Sequence, residues 1–189
     1  METYAKQNPS LIVVLAGCAF LLFGLGSPTA GVEPSFEQGQ VRAGVPVHLT
    51  IPRIGVDAAV EFVSLTPEGA MAVPKGPANA AWFEPGPRPG EEGSAVIAGH
   101  FGWKDGIPAV FDDLHTLQKG DKIYVEDETG TTTVFVVREL RRYGEYEDAP
   151  DVFSSSDGKA HLNLVTCEGI WNKSSKSYSK RLVVFADKE

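Results

Sequence analysis

Residues 161–167 read HLNLVTC, a run of aliphatic and β-branched side chains that ends on a cysteine and then meets Glu168-Gly169. Over so short a length this composition predicts a β-strand with the thiol at its end, where loops leave side chains accessible. Six further runs have the same character: HLTIP (48–52), VDAAVEFV (56–63), SAVIAGH (94–100), KIYVED (122–127), TTTVFVVREL (131–140) and RLVVFA (181–186). Gly, Pro, Asp and Asn bound them. Thr50-Ile51-Pro52 followed by Ile54-Gly55-Val56 predicts two strands joined at a proline corner. PAVFDDLHTLQKGD (108–121) is expected to be helical, because Val110, Leu114 and Leu117 recur at spacings of four and three before Gly120 stops the turn. Residues 74–90 hold five prolines and are expected to be an ordered loop. Seven or more strands in roughly 140 residues predict an all-β domain, a closed barrel or a sandwich.

The chain of 189 residues is 42% hydrophobic, enough to bury a core without disulfides. Seventeen basic against twenty-five acidic residues leave a charge of −8, and since Glu2 and Lys6 cancel, all of it falls after residue 26. An acidic surface without a Lys/Arg-rich run repels phosphate backbones and excludes a nucleic-acid binder. LIVVLAGCAFLLFGLG (11–26) carries no charge. As a helix it rises ~24 Å, and Ser10 and Ser27 extend it toward the thickness of a bilayer core. The expected organisation is a cytoplasmic tail (1–10), a transmembrane signal-anchor (11–27), a Pro- and Gly-containing linker (28–46) and an exported domain (47–189). Leu15-Ala16-Gly17-Cys18 also matches the pattern after which a cysteine is lipidated, although the apolar run continues past it.

With Cys18 in the apolar segment, Cys167 is alone in an exported domain, which marks it as a reactive thiol. A thiol nucleophile needs a base or cation nearby. His161 lies on the same strand but ~20 Å away. His48 and His115 read as exposed or half-buried. His100 ends an apolar strand between Gly99 and Gly102, where another chain can approach closely, and is the candidate base. Arg181 opens the last strand fourteen residues after Cys167; antiparallel pairing of the two strands sets it opposite the thiol, in place to stabilise an oxyanion. Arg53, Arg138, Arg141 and Arg142 read as surface charges. Thr166 is a candidate groove residue, and Trp103 and Trp171 flank the histidine and cysteine loops as candidate substrate contacts.

The order of IPRIGV, GHF, FDDLHTLQKGD, LVTC and RLVVFA, behind a short apolar anchor, resembles the sortases, cysteine transpeptidases of the cell surface. The family motif ends in Thr-Leu-x-Thr-Cys; here Asn163 replaces the first threonine while Leu164, Thr166 and Cys167 match. The resemblance covers the chain from Pro46 onward and is most like the class D, E or F groups. It implies a closed eight-stranded barrel with catalytic residues His100, Cys167 and Arg181. It also implies a thioacyl intermediate formed by attack on the Thr–Gly bond of an LPxTG-like sorting signal, resolved by an amine of a cell-wall precursor or a pilin. No cofactor and no metal are implied: Glu145, Glu147, Asp148 and Asp151 lack the regular alternation of a calcium loop and read as a solvated acidic loop. Two other functions fit the residues less specifically. One is a cysteine L,D-transpeptidase, which would carry a Ser-His-Gly-Cys stretch where this chain has Val165-Thr166-Cys167-Glu168. The other is a membrane-tethered β-barrel binding module with an inert, buried cysteine.

Overall fold

A computed structural model of the chain describes residues 42–189. The expected tail, signal-anchor and lipidation cysteine, with the linker through residue 41, lie outside the described residues. Among the described residues no helix is long and apolar enough to cross a membrane.

Eight strands make the domain: β1 (Pro46–Ile51), β2 (Val56–Val63), β3 (Ala80–Phe83), β4 (Gly93–Gly99), β5 (Lys122–Asp127), β6 (Thr132–Gly144), β7 (Ala160–Asn172) and β8 (Ser177–Lys188), with one short helix, α1 (Pro150–Phe153). They close into a barrel in the order β1-β2-β3-β4-β7-β8-β6-β5. The β2–β3 and β4–β7 pairs are parallel and the other six antiparallel. Alternation sets which side chains fill it: Val56, Ala58 and Val60 of β2, Ile123 and Val125 of β5, Leu162 and Leu164 of β7, and Leu182 and Val184 of β8 all point inward. The proline corner forms as a 3₁₀ turn, Pro52–Ile54, between β1 and β2. β4 is buried on both faces. Ala95 and Ile97 enter the barrel, while Val96 joins Val152, Val183 and Phe185 in a second apolar cluster outside the barrel, beneath α1.

Three expectations are corrected. Residues 74–90 are not loop throughout: Ala80-Ala81-Trp82-Phe83 falls between Pro77 and Pro85, so no proline interrupts its ladder, and it pairs parallel with β2 and antiparallel with β4. Residues 108–121 are not a helix beyond a 3₁₀ turn at Leu114–Thr116. The Asp112 carboxylate takes the Ala109 and Gly102 N–H groups (2.9 and 2.6 Å), a local competitor to helical bonding. Of the three apolar positions, Leu114 and Leu117 are buried in the barrel core, joined there by Phe111, while Val110 is only partly buried against it. Finally, Cys167 and Arg181 are not at strand ends. β7 and β8 run on as a hairpin to Asn172 and Ser177, with a bulge between Glu168 and Trp171 where Gly169 adopts φ +89°.

Candidate active site

β4, β7, β8 and β6 are consecutive in the barrel, so their outward-facing residues form rows across the sheet. Cys167 is paired with Arg181, and Arg181 with Tyr143 of β6. On the other side β4 runs parallel to β7 with Ala98 against Val165; carried two residues on, this register sets His100 level with Cys167. The intervening residues fix the level: the buried Thr166 hydroxyl donates to the Gly99 carbonyl at 2.8 Å. The folded chain thus brings His100, Cys167 and Arg181 into one row on the outer barrel face, although 67 and 14 residues of sequence separate them. Thr166 points the other way, into the barrel wall, and ties the histidine strand to the cysteine strand. Gly99 is required there, because a Cβ would run into the Phe111 ring that plugs the barrel.

Each member has its own restraints. His100 places Nε2 2.8 Å from the Pro74 carbonyl of the β2–β3 connection. A carbonyl only accepts, so Nε2 carries a proton, and Nδ1 is the ring nitrogen left to exchange one. The Phe111 N–H donates to the His100 carbonyl (3.1 Å), and the Trp103 ring meets the imidazole edge-on, centroids 4.6 Å apart. Arg181 gives Nη1 to the Tyr178 and Lys180 carbonyls (2.8 and 3.0 Å) and Nη2 to the Ser177 hydroxyl (3.0 Å). Of five guanidinium N–H groups, Nε–H and one on Nη2 are left without a partner among these bonds. The Cys167 thiol is partly buried and in no disulfide. Burial pushes it above the ordinary thiol range, the Arg181 cation draws it back, and the Glu145 carboxylate pushes it up again. A thiol beside an imidazole and a cation with free donors can carry acyl transfer, the imidazole moving the proton and the guanidinium meeting the oxyanion.

Trp171 reaches the row through a stack. Its ring lies edge-on to Tyr178 (5.1 Å), and Tyr178 lies edge-on to Phe101 (5.4 Å), the residue after His100. Tyr178 therefore touches the histidine loop with its ring and Arg181 with its carbonyl. Neither Tyr178 nor Pro74 stood out in the sequence, because stacking and carbonyl acceptance carry no residue signature. The other histidines are elsewhere: His161 is at the far end of β7, bonded to Asp157 and Asp187; His48 pairs with Asp57 on β1–β2; and exposed His115 contacts its own turn. Arg141 is bound by Glu139 and Asp151, and Arg142 by Glu168. Of the acidic stretch, Asp151 also accepts from Tyr143 and Glu147 from the Gly144 N–H.

Comparison with known proteins adds the family. Residues 49–189 match the model of the Sortase domain. Sortase A of Bacillus anthracis is 34% identical over 98 residues, which is 51% of this chain and 40% of that protein, so the match spans about two fifths of the relative's length. Among solved structures, the Streptococcus agalactiae sortase C1 complex with MTSET aligns at 22% identity and TM-score 0.60, over 76% of this chain and 68% of that one. A Clostridium perfringens Sortase D5 transpeptidase aligns at 23% and 0.57, over 77% and 79%. A lid mutant of sortase A from Corynebacterium diphtheriae aligns at 19% and 0.60, over 79% and 73%. At these identities the structural likeness is one of fold. The family match covers most of the chain, and the chain belongs to the sortase family.

Proposed function

We propose that the chain is a cysteine transpeptidase that cleaves an LPxTG-like sorting signal between Thr and Gly and passes the acyl group to an amine. The observation that carries this reading is the pairing of Cys167 with Arg181 on β7 and β8, with His100 just past the end of the neighbouring β4. Because burial keeps the thiol protonated at rest, attack begins with transfer of its proton to Nδ1 of His100, Nε2–H staying on Pro74. The sulfur adds to the threonine carbonyl carbon, and the developing oxyanion takes the two free N–H groups of Arg181. His100 returns its proton to the departing amine, leaving a thioacyl enzyme. An incoming amine of a cell-wall precursor or pilin adds to that carbonyl and expels the Cys167 sulfur. Water in its place gives slow hydrolysis. Exposed Val73 and Ile107 on the connections and Ile170 on the β7 extension, with Trp103 and Trp171, offer apolar contact to the peptide. The charge-free run 11–27 supports a single-pass membrane protein with its barrel outside the cell.

The test is to incubate the protein with an LPxTG peptide library and an amine acceptor and to examine Cys167 by mass spectrometry. A thioacyl adduct cut after threonine is the expected result. Absence of any adduct, with a Cys167 that resists iodoacetamide, would instead fit the inert-cysteine binding barrel. Arg181→Ala is expected to lower kcat/KM by at least about 100-fold, the usual worth of one oxyanion donor; full activity in that variant would remove Arg181 from the mechanism.

A further inference from the structure

One carboxylate stands beside this row without a cation. On β6 the outward residues are Glu139, Arg141 and Tyr143, and Tyr143 is level with Arg181 and Cys167. Two residues on comes Glu145, whose N–H donates to the Ser179 carbonyl (3.2 Å), one rung beyond Arg181. Across that rung β7 offers only Gly169, packed so close to the Ser179 hydroxyl that a Cβ there would collide with it at 2.5 Å. The rung next to the nucleophile is therefore a carboxylate, a small hydroxyl and a glycine, with the Lys180 stem packed beside that glycine. Two neighbouring arginines are committed to carboxylates, Arg141 to Glu139 and Asp151 and Arg142 to Glu168, while Arg181 keeps two N–H groups for the oxyanion and Lys180 makes no salt bridge among the described residues. Among the described residues Glu145 makes no salt bridge; its carboxylate accepts a hydrogen bond from the neighbouring Tyr146 hydroxyl, which it makes harder to ionise. Its charge works against ionisation of Cys167 and so does not serve the first half of the reaction.

We propose that Glu145 receives the cationic amine of the second substrate, holding an alkylammonium ion one rung from the thioacyl group on Cys167. The proposal rests on the transpeptidase reading above. The ammonium gives one proton to solvent, and its nitrogen attacks the thioester carbonyl carbon. The C–N bond forms as C–S breaks, and the second nitrogen proton passes through His100 to the Cys167 sulfur. Thioester and ammonium thus become amide, thiol and one released proton. Glu145 takes no proton; it raises the local concentration of the cation, and its effect falls on the acceptor's KM rather than on kcat.

The full chain in detergent, as wild type, Glu145→Gln and Glu145→Asp, is loaded with peptide and titrated with two acceptors: triglycine amide, largely an ammonium ion at neutral pH, and hydroxylamine, which is uncharged there. Glu145→Gln is expected to raise KM for triglycine amide about fivefold, less in added salt, with hydroxylamine unaffected and Glu145→Asp close to wild type. An unchanged KM, or an equal loss with both acceptors, overturns the proposal. A second measurement needs no peptide. Cys167 is labelled with a cationic and with an anionic methanethiosulfonate, and the ratio of the two rates reads the local charge independently of the thiolate fraction. The ratio is expected to fall severalfold in Glu145→Gln, and a constant ratio overturns the proposal by itself. A ratio that follows Glu145 in a protein that accepts no peptide would overturn the transpeptidase reading instead, so the two failures are distinguishable.

Discussion

Cys167 sits between two opposing influences. Partial burial favours the neutral thiol, and Arg181, its cross-strand partner, favours the thiolate; burial is the larger. The thiol should therefore behave as a weak acid with a base nearby rather than as a standing thiolate. Its alkylation rate by iodoacetamide is expected to climb as pH rises through and above the ordinary thiol range near ~8.5, without a plateau at neutral pH. Arg181→Gln removes the counter-cation and should displace the profile further to the alkaline side. A profile already flat at pH 7 would mean that the cation wins over burial. Thr166 acts one layer down. Its hydroxyl fixes the level of Gly99, and hence of His100, against Cys167. Thr166→Val keeps the shape but leaves the Gly99 carbonyl without its donor, a cost of about 1–3 kcal/mol that denaturant unfolding would register. Thr166→Ser should restore most of it, whereas equal stability of Val and wild type would show that the bond does not hold the strands in register.

At the scale of elements, one buried side-chain hydrogen bond joins α1 to the barrel, beneath the exposed Asp151 contacts with Arg141 and Tyr143. Asn163 of β7 donates Nδ2 to the Val152 carbonyl at 2.7 Å, entirely buried, while Val152 itself fills the outer cluster with Val96, Val183 and Phe185. Asn163→Ala should loosen this short helix selectively, with amide exchange at Val152 and Phe153 about tenfold faster and that of β7 little changed; uniform acceleration would mean that the barrel, not the helix, depends on Asn163. This residue is also where the chain departs from the family motif, and its role in holding α1 was not legible in the sequence because its partner is a backbone carbonyl eleven residues upstream. The strands with inward alternation, such as VDAAVEFV, were legible to the residue. β3 was not: four residues with two alanines, hemmed by prolines, carry too little β character, and the ladder on both sides supplies what the residues lack. The hairpin extension Gly169–Tyr178 was hidden for a different reason. It projects with most side chains exposed, so no alternation marks it. The candidate row was legible because Cys167 and His100 each end an apolar run and Arg181 opens one. Pro74 and Tyr178, which hold two of them, act through backbone carbonyls and a stacked ring.

Across the whole molecule, charge is arranged so that acid should be the first stress to unfold it. At the end of β7 away from Cys167, His161 is buried with Nδ1 2.7 Å from Asp187 and Nε2 3.0 Å from Asp157, and Arg138 donates to the same Asp187 oxygen. This cluster joins β6, β7, β8 and the turn before β7. The His161 ring, with the Lys159 N–H and the Ser155 hydroxyl, holds the Asp157 carboxyl well below the ordinary carboxylate range. Three more carboxylates are lowered at other points of the barrel: Asp127 by Thr129, Glu139 by Arg141 and Glu61 by Asn79. Each stays ionised in the folded chain to a lower pH than in the unfolded chain, so as pH falls the unfolded state binds protons first. The stability they contribute is complete above their unfolded values near ~4 and is lost progressively below them. The exposed ammonium of Lys122, raised by Glu189, works in the opposite direction and matters only in strong alkali. The melting temperature is therefore expected to be level around neutral pH and to fall steeply below about pH 4. Asp157→Asn should lower it at neutral pH and flatten the acid limb, since one of the groups that titrates there is gone. Thermal unfolding of the two proteins from pH 3 to 8 decides the matter: parallel profiles would place the acid sensitivity in the other carboxylates and leave the His161 cluster without a part in it.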